Sequence, residues 1–325
     1  MYPMPDPTLH QVRLSAKSLA RYFSGFVASL RSSAPETRGT YMRALREFLR
    51  WFPRDRNFRF RVSDVRRYKR HLERRKHLSA VSVSTYLTAF RRFCDYLVRA
   101  GVLKENPGRY VGGNSRPSTH SREYLSPEDV QAIVAAVPQD DLRGTRDYAM
   151  ILLMLRCALS EIELVRADVR DLFEEDGGNW MAVQGKGRKT KDERVALPSD
   201  VTAALSRYLS LRGTHRPAEP LFASAGNRTR GQRMTTRGVR DRVNASLTAA
   251  GVKQGKLRRV TPYSLRHTAA LLMARDGATA DEIRQRMRLG SNATAQLYLQ
   301  YDHNNEPAQE TIEKEADGAL PVQRD

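Results

Sequence analysis

The sequence predicts a two-domain, mainly α-helical protein whose second domain also contains one small β-sheet. Apolar side chains recur at helical spacing through most of the chain, whereas strand-like stretches flank a single glycine–lysine turn. A stretch rich in proline, glycine and small polar residues separates the two halves. The length of 325 residues is sufficient for a hydrophobic core in each half.

The first domain, residues 16–104, is predicted to be a small helical bundle that follows an N-terminal extension of residues 1–15. Aromatic and aliphatic residues lie three or four positions apart in each helix, and Gly101 is suited to end the last one. The predicted helices span residues 18–31, 37–51, 62–75 and 81–100.

Residues 105–123 have the composition of a linker, and the second domain is predicted to follow at residues 124–303. Ser126 and Pro127 indicate the start of its first helix, since they combine an N-cap with a first-turn proline. Further helices are predicted at residues 148–155, 200–211, 237–250 and 264–276, and strands at residues 180–183 and 193–197. Residues 304–325 form an acidic tail that we expect to be solvated.

The charge balance indicates a polyanionic partner. The chain has 56 Lys and Arg against 36 Asp and Glu, a formal net charge of +20, so nucleic acid is the first candidate. Cys94 and Cys157 are too few for a disulfide framework. No apolar run reaches the roughly 20 residues that a membrane span needs. We therefore expect an intracellular, cytoplasmic protein that does not enter the membrane.

Two short motifs carry candidate chemistry. The turn at Gly185, Lys186 and Gly187 projects an ammonium from a tip that can approach a phosphate backbone closely. A basic hairpin that only contacts phosphates is the alternative interpretation of this turn. In the second motif, Arg266 and His267 lie near a helix start, one turn from Tyr263, and this combination suits an anion such as phosphate.

The order of these motifs resembles the tyrosine recombinases, or phage-type integrases, over about residues 18–301. The turn that carries Lys186, with residues 194–198, is similar to the β-hairpin lysine motif of that family. Residues 265–268 resemble its second arginine box, and residues 294–298 resemble the box that ends in the nucleophilic tyrosine. The resemblance implies a SAM-like core-binding domain followed by a mixed α/β catalytic domain with a small hairpin sheet, the DNA breaking-rejoining fold.

The resemblance also implies an activity: site-specific recombination or integration of double-stranded DNA through a 3′-phosphotyrosyl intermediate. Tyr298 would be the nucleophile, Lys186 would protonate the leaving 5′-oxygen, and Arg266 would hold phosphate oxygens. Tyr301 is the alternative nucleophile, three residues later. Because the covalent link conserves the bond energy, no metal and no cofactor are expected.

The partners implied by the resemblance are a DNA recombination site and further copies of the chain. Family members act as a tetramer on two DNA sites of a mobile element or chromosome, and they exchange C-terminal segments. Basic residues of the predicted bundle helices, of the lysine turn and of the helix start with Arg266 are candidates for DNA contacts. They are Arg66, Arg67, Arg91, Arg92, Arg188, Lys189 and His267.

Three positions depart from the family pattern. A gap-free alignment puts Ser160 at the first arginine. Arg156, one helical turn earlier, is disfavoured as a substitute because its side chain starts about 6 Å away. Tyr263 takes the place of the first histidine. The second histidine falls on Leu289 without a gap, or on Ser291 if two residues are deleted.

Ser160 predicts weakened cleavage with DNA binding retained, because losing one such donor typically costs about 10²–10³ in rate. One explanation is a natural, inactive family member that binds DNA as an accessory or regulatory protein. The other is a serine introduced into an active enzyme to trap a DNA complex, and the well-kept rest of the motif set favours it. In that case, replacing Ser160 with Arg should raise cleavage strongly.

Overall fold

A computed structural model describes residues 12–33, 35–55, 57–114, 123–185, 188–213, 215–226, 229–254 and 259–305. By its contacts the chain divides between Pro117 and Ser118 into two compact units, called here the N-terminal and the C-terminal unit. Within the described ranges, no helix has both the length and the apolar character needed to cross a bilayer.

The N-terminal unit is a bundle of four helices. They are α1 (Ala16–Ser29), α2 (Pro35–Trp51), α3 (Val62–Arg74) and α4 (Ala80–Arg99), and each begins within two residues of the start that the sequence predicts. Ser15 and Ser79 begin α1 and α4 as N-caps, because each side chain accepts a hydrogen bond from the backbone three residues later.

Aromatic rings fill the centre of the N-terminal unit. The ring of Phe48 on α2 meets Phe90 at 4.8 Å, Tyr68 at 5.1 Å and Phe58 at 5.5 Å between centroids, all near edge-to-face. All four residues are at most 1% exposed. These rings come from α2, α3, α4 and the segment before α3, so their contacts join these parts of the N-terminal unit.

The start of the predicted linker belongs to the N-terminal unit, which corrects the boundary at residue 105. Pro107–Tyr110 form a 3₁₀ helix, and Val111 is buried in the core of this unit. The guanidinium of Arg91 donates to the carbonyl oxygens of Gly108 at 2.9 Å and Val111 at 2.6 Å. These bonds satisfy backbone groups that composition alone assigned to a flexible segment. Residues 115–122 lie outside the described residues.

In the described part of the C-terminal unit, eight α-helices combine with a three-stranded antiparallel sheet in the order β1-β2-β3. The helices are α5 (Pro127–Ala136), α6 (Leu142–Arg156), α7 (Glu161–Arg166), α8 (Ser199–Arg212), α9 (Thr236–Ala249), α10 (Pro262–Arg275), α11 (Ala280–Arg286) and α12 (Asn292–Asn305). The strands are β1 (Leu172–Glu175), β2 (Gly178–Val183) and β3 (Glu193–Ala196).

Strand β1 was not predicted from the sequence. Its four residues pair with β2 from Leu172 opposite Met181 to Glu175 opposite Gly178. Asp176 and Gly177 connect the two strands, and both have positive φ, as a tight hairpin turn requires. The Asp-Gly pair was therefore the available signal, but the short and half-exposed strand before it shows no clear alternation of apolar residues.

Two clusters form the core of the C-terminal unit. Helix α6 runs through the larger cluster, where all side chains from residue 149 to 155 are buried. The smaller cluster joins α10, α11 and α12 through Ala270, Ile283, Ala295 and Tyr298, all at most 1% exposed. The small alanine side chains let α12 approach α10 closely, and this packing positions Tyr298.

Candidate active site

Helix α10 presents three candidate residues on one face. Tyr263, Arg266 and His267 lie three and four positions apart, so their side chains project in the same direction. Pro262 occupies the first turn, and the backbone N–H of Thr261 donates to the Ser264 hydroxyl at 3.1 Å. The helix therefore begins directly before these residues and holds their spacing.

Arg266 is buried, with 5% of the residue exposed, and it connects three segments of the chain. Its Nη1 donates to the carbonyl oxygen of Ala158 at 2.5 Å and to Glu163 Oε2 at 2.8 Å. Its Nη2 donates to the carbonyl oxygen of Met287. Its Nε is buried and has no acceptor among the residues that the structure describes. One donor of this guanidinium thus lacks a protein acceptor while it is enclosed by its neighbours.

Glu163 is the carboxylate at the centre of the site. It accepts hydrogen bonds from Arg266, from Arg288 Nε at 2.6 Å and from both the N–H and the hydroxyl of Ser160 at 2.7 Å. Burial acts to raise its pKa, but the charges of Arg266 and Arg288 outweigh burial and hold the pKa below its usual range. The carboxylate is therefore ionised and pairs with two guanidinium groups.

Tyr298 lies on α12 and is 1% exposed. Its hydroxyl is 2.7 Å from Nδ1 of His267, and its ring packs near those of Tyr124 and His267 at centroid distances of 6.5 and 5.6 Å. Burial, with the neighbouring phenols of Tyr263 and Tyr124, raises the pKa of Tyr298, while the charge of Arg266 acts in the opposite direction. The hydroxyl is therefore protonated and enclosed in this arrangement.

Comparisons with known proteins identify the family of this chain. The model of the phage integrase family matches residues 123–305, and that of the N-terminal SAM-like domain of phage integrases matches residues 19–101. Tyrosine recombinase XerC of Salmonella typhi is 31% identical over 230 residues, which are 70% of this chain and 72% of that protein. XerC of Escherichia coli O127:H6 is 30% identical over the same shares. The chain belongs to the phage integrase family.

Solved structures of the family share the fold of this recombinase. Lambda integrase residues 75–356, in a dimer bound to a COC′ core site, superpose with a TM-score of 0.68 and 14% identity, covering 90% of this chain and 99% of that one. XerH bound to palindromic difH substrate superposes with a TM-score of 0.65 and 16% identity, covering 90% of this chain and 83% of XerH. The predicted mainly α-helical fold with a SAM-like first domain and a small sheet is confirmed.

The structure brings some of the predicted site residues of the recombinase together. Ser160 and Arg266 share Glu163, while the ring of Tyr263 stacks edge-to-face on His267 at 4.6 Å, next to Tyr298. Ser291 is exposed, and its hydroxyl lies 3.4 Å from that of Thr294. Lys186 lies outside the described residues, and Tyr301 lies on α12 with its side chain likewise outside them.

Three of the residues predicted to contact DNA form hydrogen bonds or ion pairs within the protein. Arg91 holds backbone carbonyls, Arg67 pairs with Asp55 at 2.9 Å and Asp64 at 2.8 Å, and His267 is 5% exposed. All three side chains therefore bond to groups of the protein itself, and their contacts with DNA remain a prediction. Arg66, Arg92 and Lys189 are exposed, and Arg188 is half-exposed in contact with Asp192 and Glu193.

The proposed substitute Arg156 does not reach the site. Its Nε donates to Asp200 Oδ2 at 2.9 Å, in an ion pair whose two side chains are 55% and 41% exposed. The guanidinium missing at Ser160 therefore does not come from the preceding helical turn.

Sequence reasoning missed Glu163 and Arg288. Glu163 stands three residues after Ser160, and this N-cap spacing was a usable local signal. Arg288 offered no such signal, because it contacts Glu163 across 125 positions of the chain.

Proposed function

We propose that this recombinase cuts and rejoins double-stranded DNA at a specific site through a 3′-phosphotyrosyl intermediate on Tyr298. The observation that carries the proposal is the hydrogen bond of 2.7 Å between Tyr298 and His267, the residue next to Arg266 on α10. It brings the nucleophile and the phosphate-binding guanidinium into one site. The structures of lambda integrase bound to a COC′ core site and of XerH bound to palindromic difH substrate support a duplex as the partner.

Each step has a residue with suitable chemistry. The oxygen of Tyr298 gives its proton to water as it attacks the phosphorus and forms the new ester. The bond to the 5′-oxygen breaks, and Lys186 gives that oxygen its proton. Arg266 donates to a non-bridging oxygen, for which its unpartnered Nε is available. Attack by a 5′-hydroxyl then reverses these bonds and releases the tyrosine.

The enclosed hydroxyl implies that α12 or the Tyr298 side chain moves before attack. With 1% exposure, the side chain cannot contact a duplex while it is bound to His267. Opening this hydrogen bond is therefore the first step of the proposed reaction, and DNA binding would drive it.

The proposal extends to assembly and location. The recombinase acts as a homotetramer on two DNA sites of a mobile element in the cytoplasm, with exchange of C-terminal segments. The lambda integrase structure, a dimer on a core site, supports assembly on DNA. Residues 306–325 of the acidic tail lie outside the described residues.

A second candidate function is DNA binding without cleavage, as an accessory or regulatory protein. Ser160 favours it, because a serine hydroxyl has no charge to offset that of a phosphate. A catalytically weakened recombinase is the intermediate case. Both candidates predict tight binding, so affinity alone does not separate them.

Trapping the covalent intermediate tests the proposed function. A binding site is first selected from a random duplex library, and duplexes nicked near that site are then incubated with the full chain, so that the short cleaved fragment diffuses away. We expect a protein–DNA adduct that survives denaturation, maps to Tyr298 by mass spectrometry and disappears in Tyr298→Phe but not in Tyr301→Phe. An adduct on Tyr301 would reassign the nucleophile. Tight binding without any adduct would establish the second candidate.

A further inference from the structure

Ser160 leaves the position of the family's first arginine without a cation. It is the N-cap of α7, and both of its donors bind Glu163 Oε2 at 2.7 Å. The side chain ends at this hydroxyl and contributes no charge. If the recombinase needs two guanidinium groups at the phosphate, the second must come from another part of the chain.

Arg288, directly after α11, has an unusual backbone conformation. Its φ is +53°, in the left-handed region that glycine favours at helix C-termini and that costs other residues about 1–2 kcal/mol. Its backbone N–H donates to the carbonyl oxygen of Gln285 at 2.9 Å and so closes the helix. A glycine would serve this turn without strain, so the arginine side chain must offset the cost.

The guanidinium of Arg288 lies beside that of Arg266. Arg288 Nε donates to Glu163 Oε1 at 2.6 Å and its Nη2 to the carbonyl oxygen of Ala158 at 2.9 Å. Arg266 Nη1 donates to the same carboxylate and to the same carbonyl. We call Arg266 and Arg288 the guanidinium pair, since they share both acceptors.

The guanidinium pair has one positive charge in excess. The side chains of Arg266, Arg288 and Glu163 are 6%, 3% and 2% exposed, so water screens them little. An unbalanced buried charge is costly unless an anion compensates it. Without Arg288 the cluster would be neutral, whereas with it the cluster matches the single negative charge of a DNA phosphodiester.

Arg288 also lies beside the hairpin that carries the proposed acid. A Cβ placed on Gly185 would meet the Cβ of Arg288 at 3.8 Å. Gly185 directly precedes Lys186. A phosphate held by the guanidinium pair would therefore lie near Gly185, the residue before Lys186 in the sequence.

We propose that Arg288 is the second phosphate-binding guanidinium of this recombinase and takes the place of the arginine missing at Ser160. The inference rests on the proposed function. Arg288 would exchange its Nη1 bond to the carbonyl oxygen of Arg286, now 2.6 Å, for a non-bridging phosphate oxygen. Arg266 would hold the other non-bridging oxygen. Ser160 is then compatible with full activity.

Single-turnover adduct formation on the nicked duplex tests this assignment. We expect Arg288→Ala to slow the reaction by about 10²–10³ and the double variant Arg288→Ala with Ser160→Arg to recover at least about tenfold. Ser160→Arg alone should gain little, because three guanidinium groups would share one carboxylate. The matched control is Arg284→Ala on the preceding helix α11, whose guanidinium pairs with Asp281 at the surface.

A duplex with a methylphosphonate at the cleaved position separates a catalytic role from a structural one. This group lacks the negative charge, so a guanidinium that binds it becomes dispensable. The defect of Arg288→Ala should shrink to about tenfold or less on this substrate. A residue that only supports the fold would show the same defect on both substrates.

The outcomes distinguish this inference from the proposed function. If Arg288→Ala is as fast as the wild type, or equally defective on both substrates, the inference is wrong while the Tyr298 chemistry stands. If the wild type forms no adduct, the proposed function fails, and DNA binding is then used to test the role of Arg288. In a Tyr298→Phe background, one methylphosphonate should then weaken binding more in the protein with Arg288 than in Arg288→Ala, since Arg266 contacts the phosphate in both. Equal weakening in both proteins would overturn the inference.

Discussion

Replacing Glu163 with glutamine tests whether one buried carboxylate holds the guanidinium pair. The change removes the charge but keeps the shape of a side chain that accepts from Arg266 at 2.8 Å and Arg288 at 2.6 Å. Removing one partner of a buried ion pair typically costs about 3–5 kcal/mol, because the other charge stays buried and unpaired. We expect the free energy of unfolding of the C-terminal unit to fall by about this amount, since two such charges remain.

Urea unfolding followed by tryptophan fluorescence measures this loss. The chain has two tryptophans, and a Trp51→Phe background leaves Trp180 on β2 as the reporter of the C-terminal unit. The control is Asp241→Asn, which breaks an ion pair with Arg237 whose side chains are 64% and 88% exposed. Exposed pairs contribute at most about 1 kcal/mol, so the control should change little.

Acid pH gives a second readout of Glu163→Gln. Because the pKa of Glu163 is lowered in the folded protein, its contribution is present above the ordinary value of 4.5 and is lost as the pH falls through the lowered value. The wild type should therefore lose stability on acidification more steeply than the variant. An unfolding free energy equal to that of the control, with an unchanged acid dependence, would refute the shared-carboxylate arrangement.

Three further predictions use paired variants or pH. The Lys191 ammonium binds Asp168 at 2.7 Å and also Asp171. Lys191→Ala should therefore lower the melting temperature but leave the rate of adduct formation within about fivefold of the wild type. Lys186→Ala should slow adduct formation about 10²–10⁴-fold. Arg91→Ala should lower the unfolding free energy of the N-terminal unit, measured in urea, by about 1.5–3 kcal/mol, because it removes the bonds to Gly108 and Val111. Arg92→Ala should leave this stability unchanged. It should reduce the slope of log affinity for DNA against log salt concentration by about one. Because the pKa of Tyr298 is raised in the folded protein, its stabilising contribution is present below the ordinary pKa of 10.0 and is lost at higher pH. The unfolding free energy of Tyr298→Phe should therefore fall less steeply than that of the wild type between about pH 9 and 11. An identical pH dependence would contradict the burial of the Tyr298 hydroxyl.

The elements with strong local patterns were predictable from the sequence. Helices α1 to α4 begin within two residues of the predicted positions, because the apolar spacing that defines them is also the spacing of their core contacts. The hairpin of β2 and β3 and the start of α5 followed from turn and capping residues in the same way. Strand β1 and helices α7 and α11 are short, and their length leaves too few residues for a period to be recognised.

The sequence by itself determined the family, the two domains and the identity of Tyr298, Lys186 and Arg266 as candidates, because each is recognised from neighbouring residues. Only the tertiary structure decided that Arg91 and His267 face inward, since each hydrogen bond depends on a partner from another segment. It likewise decided that Arg288 joins Glu163 across 125 positions, through a left-handed turn that no local pattern predicts. A charge missing from one position of the sequence can be supplied by any segment that folding brings beside it.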